Sequence, residues 1–149
     1  MNDGINALFE KGFTLIPVKY REKNPLVSNW QTRTVNDNNP GEFNGQVNVG
    51  VVLGAASGNI IDIDLDDPVA TELASKFLPE TGKIFGRASS PSSHYLYRTD
   101  GEAGKKATYQ SKFFERPILE YRSEKHFTVI PPSVHKSGEQ IEWLCSVSM

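Results

Sequence analysis

Apolar residues recur with helical spacing in the first eleven positions and predict a short amphipathic helix that ends at Gly12. The apolar and partly β-branched run Phe13–Val18 then predicts a strand. Because proline cannot donate a ladder hydrogen bond, Pro17 within this run indicates an edge strand or the end of a strand. Residues Tyr20–Val47 are rich in Asn, Gly and Pro and show little periodicity, so we expect a long irregular connection there.

The middle of the chain alternates between apolar runs and turn residues. Val49–Val52 and Ile60–Leu65 predict two strands, and the small residues between them predict the turn of a hairpin. Asp67 followed by Pro68 is typical of a helix N-cap and a first helical position, so a helix should begin there and run to about Phe77.

Further strands are predicted in the second half of the chain, where strands outnumber helices. They are Lys83–Phe85, His94–Arg98, Pro117–Tyr121, Phe127–Ile130 and Gln140–Trp143. No internal repeat is visible, and 149 residues suit a single domain, which we place at residues 1–149. The expected fold class is α+β with a mainly antiparallel sheet.

The chain has one cysteine, Cys145, so neither an intrachain disulfide nor a zinc site built from cysteines is possible. This usage is typical of a reducing compartment. The sequence has no apolar run near 18 residues and no signal-peptide pattern at its start. We therefore expect a cytoplasmic protein that does not cross a membrane.

The charge is unevenly distributed. A formal net charge of -2 argues weakly against a protein that coats DNA through bulk positive charge. Residues 1–75 hold five basic and ten acidic side chains, whereas residues 76–149 hold eleven basic and eight acidic ones. Four of the acids lie close together, at Asp62, Asp64, Asp66 and Asp67. This acidic segment is the first candidate for a functional site.

Apolar and acidic residues alternate strictly within the strand predicted at Ile60–Leu65. A strand therefore places Asp62 and Asp64 together on the face opposite the core. Two neighbouring carboxylates repel each other unless a cation lies between them, and oxygen ligands of this kind suit Mg²⁺ and Mn²⁺. A solvated strand face, whose last acid caps a helix, is the alternative, and these residues alone leave both interpretations open.

Two further segments carry candidate chemistry. Ser89–His94 is a run of small residues that predicts a loop, with His94 at the start of the next strand. Backbone amides, serine hydroxyls and the imidazole of His94 can converge there on an anion. A structural histidine is the alternative. In the strand-like run around Leu119, Glu120 and Arg122 share a face, either as a third carboxylate with a phosphate partner or as a surface ion pair.

Taken in order, these segments resemble the prim-pol branch of the archaeo-eukaryotic primase superfamily, the bifunctional DNA primase/polymerase N-terminal domain. That family's first motif, two acids separated by one hydrophobic residue, is matched by Asp62-Ile63-Asp64. Its second motif, Ser-x-His, is matched by Ser92-Ser93-His94. Its third, a hydrophobic residue followed by an acid, is matched by Leu119-Glu120, with Arg122 where the family often has a basic residue.

The resemblance extends from about Gly12 to Trp143. It includes an opening stretch with Lys23 and Trp30 and a closing run from Pro-Pro-Ser-x-His to Glu-Trp. The implied fold is a minimal catalytic core of this superfamily, with an RNA-recognition-motif-like (RRM-like), mainly antiparallel sheet and flanking helices.

The resemblance implies a DNA primase/polymerase that transfers a nucleotide from an NTP or dNTP to a primer 3′-hydroxyl or an initiating nucleotide. Two divalent cations, Mg²⁺ or Mn²⁺, would be held by Asp62, Asp64 and Glu120 and would act by a two-metal mechanism. The triphosphate would be held by Ser92, His94, Arg122 and Lys23. The implied partners are a single-stranded DNA template and a helicase or another replication protein.

Two other functions remain as alternatives. A catalytically weak domain that keeps the fold could bind a nucleotide or DNA within a replication assembly. A metal-dependent nuclease would use the same acidic residues for a different phosphotransfer reaction.

Overall fold

The computed structural model describes residues 2–110 and 117–144, and Cys145 lies outside them. In these residues the chain forms two α-helices, α1 (Asn2–Glu10) and α2 (Pro68–Phe77), and ten strands. The strands are β1 (Leu15–Lys19), β2 (Val47–Val52), β3 (Ile60–Leu65), β4 (Ile84–Arg87), β5 (Ser90–Arg98), β6 (Ala107–Gln110), β7 (Pro117–Arg122), β8 (Phe127–Ile130), β9 (Ser133–Val134) and β10 (Gln140–Trp143). The α+β class is therefore confirmed.

The strands form two sheets where the sequence predicts one. The smaller sheet has the order β1-β2-β8, and the larger has the order β6-β7-β3-β5-β4-β10-β9. Every strand pair in both sheets is antiparallel, as expected. Because β1 is an edge strand of the smaller sheet, the interpretation of Pro17 is confirmed.

The predicted hairpin of β2 and β3 is wrong. A single bridge between Gly54 and Ile60 joins the two segments, and the strands themselves belong to different sheets. Each strand is central in its own sheet, so β2 pairs with β1 and β8 while β3 pairs with β5 and β7. Turn residues in the sequence mark where a strand ends, but they do not determine which strands become neighbours.

The predicted loop at Ser89–His94 is also wrong. The connection between β4 and β5 is a turn at Ala88–Ser89, and β5 has already begun at Ser90. His94 consequently lies in the middle of a strand, where it pairs with Phe85 of β4 and with Asp64 of β3. Strand pairing thus holds this histidine more rigidly than a loop would.

The larger sheet has two different faces at β3. Apolar residues of β3 and β5 pack against α2 on one face, in a cluster that includes Ile61, Ile63, Leu65, Tyr95 and Ala74. Asp67 caps α2 as predicted, because its side chain accepts hydrogen bonds from Val69 N and Ala70 N. The opposite face carries Asp62, which contacts Thr128 of the smaller sheet. The acidic face of β3 therefore meets the second sheet.

The connection before β2 is irregular, as predicted. It contains three short 3-10 helices at Trp30–Thr32, Val35–Asp37 and Pro40–Phe43. The ring of Trp30 packs edge-on against Phe127 of β8, with centroids 5.0 Å apart. Within the described residues, no helix is long and apolar enough to cross a membrane.

Candidate functional site

Asp62 carries a carboxylate whose side chain is completely buried, with 0% of its surface exposed. The hydroxyl of Thr128 donates a hydrogen bond to Asp62 Oδ2 at 2.7 Å. The Nδ1 atom of His94 lies 3.0 Å from the same oxygen and 3.3 Å from Oδ1. A buried carboxylate is costly unless donors of this kind satisfy it. The interpretation of this strand face as solvated is therefore wrong at Asp62.

His94 is held from two directions. Its ring is stacked on the ring of Phe85, with an interplanar angle of 2° and centroids 4.5 Å apart. Its Nδ1 contacts Asp62, and its Nε2 lies 3.7 Å from Asp64 Oδ1. Burial is the largest influence on the pKa of His94 and lowers it, but the charge and hydrogen bond of Asp62, together with Asp64, outweigh burial and raise the pKa overall. Each ring nitrogen of His94 thus lies near the carboxylate of a different aspartate.

Asp64 lies at the centre of the acidic face. In the strand register it is directly opposite His94 on β5 and Glu120 on β7. Burial raises the pKa of Asp64 to about 6, and the neighbouring carboxylates of Asp62 and Asp66 add to this effect while nearby positive charges oppose it. The third predicted carboxylate, Glu120, therefore shares a face with the first two, as the sequence suggested.

On β7, Glu120 and Arg122 face the acids of β3. The ammonium of Lys106 lies 3.6 Å from Glu120 Oε2. Arg122 is directly opposite Asp62 and donates from Nη2 to the carbonyl oxygen of Phe127 at 2.9 Å. Among the described side chains, Arg122 Nε is the one buried polar atom that has no hydrogen-bond partner. An unsatisfied buried donor of this kind is uncommon in folded proteins, and a bound ion is one explanation for it.

A cleft of about 1060 Å³ lies beside these residues and has room for a nucleotide-sized ligand. Five of the seven predicted site residues line it, namely Lys23, Asp64, Ser92, His94 and Arg122. The other two are outside its lining: Asp62 is buried in contact with His94, and Glu120 lies across from Asp64. The structure thus brings the predicted residues into one region, where five of them line the cleft and Asp62 lies buried beneath its surface.

Four residues at this site were missed or assigned no functional role by sequence reasoning. Thr128 contacts Asp62, and Phe85 stacks on His94. The other two, Arg87 and His135, line the cleft, where Arg87 Nη1 lies 2.8 Å from His135 Nε2. Burial lowers the pKa of His135, and the charge of Arg87 adds to this effect. Because a guanidinium can only donate, Nε2 of His135 accepts this hydrogen bond. Two signals were available: the polar Thr128 in the apolar run Phe127–Ile130, and His135 at the end of the Pro-Pro-Ser-x-His run.

Glu139 holds the turn that precedes β5. One of its carboxylate oxygens lies 3.2 Å from Arg87 Nε, and the other accepts from the backbone N–H of Ser89 at 2.8 Å. These contacts fasten the β4–β5 turn to the segment before β10. Because Ser92 and His94 follow this turn directly, the contacts help to fix the strand that carries both residues.

No three His, Cys, Asp or Glu side chains within residues 2–110 and 117–144 are placed so that they could hold a metal ion. The donor chemistry of the site nevertheless fits a hard divalent cation. Asp64 faces Glu120, and burial together with the charge of Glu120 raises the pKa of the adjacent Asp66, so a cation would relieve repulsion among these carboxylates. The residues fit by chemistry, although they do not form a three-ligand group.

A comparison with curated proteins finds no match to this chain. A family model, described as Bifunctional DNA primase/polymerase, N-terminal, matches residues 6–148. The match covers all three sequence motifs, whose acidic and histidine residues share one face of the adjacent strands β7, β3 and β5. Because this match spans nearly the whole chain, the protein belongs to the Prim-Pol family.

Proposed function

We propose that this chain is a DNA primase/polymerase domain that transfers nucleotides from an NTP or dNTP to a primer 3′-hydroxyl or an initiating nucleotide. The observation that carries this proposal is the strand register, which sets Asp64 directly between His94 and Glu120. It brings the acid and histidine motifs of the family into contact at the edge of a cleft. Family membership supports a DNA template and a nucleotide as the substrates.

Four side chains of this site would hold the phosphate groups of the nucleotide: those of His94, Arg122, Lys23 and Ser92. His94 has its Nδ1 bound to Asp62, and its Nε2, which lies 3.7 Å from Asp64 Oδ1, would be the nitrogen that reaches a phosphate. Arg122 offers the unpartnered Nε, and its guanidinium is anchored through Nη2 to the Phe127 carbonyl. Lys23 and Ser92 also line the cleft, where they would add a charge and a hydroxyl donor. Charged donors of this type form the stronger class of hydrogen bonds to phosphate.

Asp62, Asp64 and Glu120 are the residues that would hold the divalent cations. Because no three of the described carboxylates are placed to ligate one ion, each cation would take one or two of them together with oxygens of the substrate phosphates. Thr128 and His94 make their shorter contacts with Oδ2 of Asp62, which leaves Oδ1 as the less committed oxygen. Bound Mg²⁺ or Mn²⁺ would neutralise phosphate charge and stabilise the attacking and leaving oxygens of an in-line displacement. Lys106 lies near Glu120 and would be displaced from that carboxylate.

The strand order supports the finer, RRM-like part of the proposal. Within the larger sheet, β7-β3-β5-β4 are neighbours, and α2 connects β3 to β4. This is the order and the first crossover of a split β-α-β unit. The site face lies opposite α2, so the helix packs on the other face of the sheet and does not cover Asp64, which lines the cleft.

The direct test is primer extension on a single-stranded DNA template with labelled NTP or dNTP and Mg²⁺ or Mn²⁺. The wild-type chain should form product, and Asp62→Ala/Asp64→Ala should lower the rate by about 100-fold or more, since cations held there supply several kcal/mol of transition-state stabilisation. The matched control is Asp100→Ala/Glu102→Ala, which removes two exposed acids and should keep the wild-type rate.

A second candidate function, a nucleotide-binding module with little catalysis, is favoured by the lack of a three-ligand group among the described residues. Calorimetry distinguishes the two functions. Metal-dependent nucleotide binding without product, under conditions where the chain is folded, would support the binding module and contradict a polymerase. Release of fragments from labelled DNA would instead indicate a nuclease.

A further inference from the structure

Thr128 is a polar residue in an otherwise apolar strand, and it is 1% exposed. It lies on β8 in the smaller sheet, whereas Asp62 lies on β3 in the larger one. Its hydroxyl donates to Asp62 Oδ2 at 2.7 Å, so a side-chain hydrogen bond joins the two sheets at the site. A buried hydroxyl gains little from packing alone, so the position of Thr128 beside a buried carboxylate indicates that the hydrogen bond to Asp62 is its main interaction.

The hydrogen bond from Thr128 restricts the orientation of the Asp62 carboxylate. Oδ2 receives Thr128 Oγ1 at 2.7 Å and His94 Nδ1 at 3.0 Å, whereas Oδ1 has a longer contact of 3.3 Å with the same ring nitrogen. Two donors on one oxygen restrict rotation of the carboxylate about the bond that joins it to the rest of the side chain. The orientation of Asp62 in turn fixes the imidazole, which is already confined by its stack on Phe85.

We propose that Thr128 is a positioning residue for the nucleotidyl transfer reaction, acting through Asp62 to hold His94 with Nε2 beside Asp64, which lines the cleft. The proposal rests on the proposed function. The neighbouring residue supports it, because the carbonyl oxygen of Phe127 accepts from Arg122 Nη2 at 2.9 Å. Strand β8 thus contacts two parts of the site: the side chain of Thr128 reaches Asp62, which binds His94, and the backbone of Phe127 accepts from Arg122. Removing a residue that hydrogen-bonds to an active-site side chain commonly lowers metal affinity or activity by about 10–100-fold.

The test compares Thr128→Val, which removes the hydroxyl, with Thr128→Ser, which keeps it. The matched control is Thr14→Val, because Thr14 is 0% exposed and its hydroxyl donates to the carbonyl oxygen of Ala56, a backbone group outside the acidic face. For Thr128→Val we expect kcat to fall by about 10-fold or more at saturating nucleotide. Thr128→Ser should recover most of that loss, and Thr14→Val should keep kcat within about 3-fold of wild type, with any loss confined to stability.

A measurement independent of activity follows the imidazole itself. The chain has three histidines, so ¹⁵N–¹H spectra of their rings can be assigned with His94→Gln. At fixed pH and without metal, the wild type, Thr128→Ser and Thr14→Val should show a protected Nδ1–H signal from His94, and Thr128→Val should show it weakened or exchanged with solvent. If the valine variant does not fold, Thr128→Ala replaces it, with urea unfolding as the check.

An unchanged His94 signal in a folded Thr128→Val protein would overturn the proposal. Equal loss of kcat in Thr128→Val and Thr14→Val would also overturn it, because it would show a structural effect only. If no variant, including the wild type, extends a primer, the proposed function fails. The His94 signal still decides the positioning role in that case, so the two failures are distinguishable.

Discussion

Asp64 should destabilise the folded protein at neutral pH, and its removal should therefore stabilise the chain. Its side chain is 18% exposed, and burial raises the pKa of the carboxyl from an ordinary value of 3.8 to about 6. Because the folded pKa lies above the unfolded one, the ionised form is penalised only in the folded state. The penalty is absent below the unfolded pKa, grows as the pH rises from about 4 to 6, and is complete above the folded pKa.

The magnitude follows from the size of the shift. A change of about two pKa units corresponds to about 3 kcal/mol of lost stability at neutral pH. Asparagine resembles the protonated carboxyl in size and charge, so Asp64→Asn should raise the free energy of unfolding by up to about 3 kcal/mol at about pH 7.5 and by little at about pH 4. For a chain of this size, 3 kcal/mol is about 6–12 °C in Tm.

Urea unfolding followed by tryptophan fluorescence, from about pH 4 to 8 and with a chelator present, measures this difference. The matched control is Asp100→Asn, since Asp100 is exposed and its substitution should change stability by less than about 0.5 kcal/mol at every pH. A stability difference for Asp64→Asn that is independent of pH would refute the reasoning. So would a variant less stable than wild type at about pH 7.5, because the carboxylate would then be stabilising.

Two further predictions concern the elements that support the site. Asp67→Ala should lower the free energy of unfolding by about 0.5–2 kcal/mol, because it removes the side-chain cap on Val69 N and Ala70 N. Asp67→Asn should retain most of the stability, and equal urea midpoints for wild type and the alanine variant would contradict the prediction. Gly86→Ala should cost about 1–3 kcal/mol or more and reduce primer extension, because a methyl group there would overlap the carbonyl oxygen of Ser90 at the start of β5. Wild-type stability and activity in that variant would show that the β4–β5 turn can move without affecting the site.

Local sequence patterns determined most of the elements and the faces of β3, but not the start of β5 or the strands β6 and β9. Alternation in Ile60–Leu65 correctly separated the acids from the apolar residues, since successive side chains of a strand point in opposite directions. Asp67 and Pro68 correctly located the start of α2, because an N-cap is a local hydrogen bond between residues a few positions apart. Three short motifs also indicated the family, which the match over residues 6–148 then showed.

Only the tertiary structure decided which strands became neighbours and what covered the acidic face. The hairpin of β2 and β3 was a reasonable local prediction, but pairing depends on burial at both edges of each strand and on contacts distant in sequence. The contact between Asp62 and Thr128 joins residues 66 positions apart in two sheets, and no periodicity reports such a distance. The sequence therefore predicted that Asp62, Asp64, His94 and Glu120 carry the chemistry, whereas packing of the two sheets decided which carboxylate is buried, which nitrogen of His94 is bound and which residues contact them.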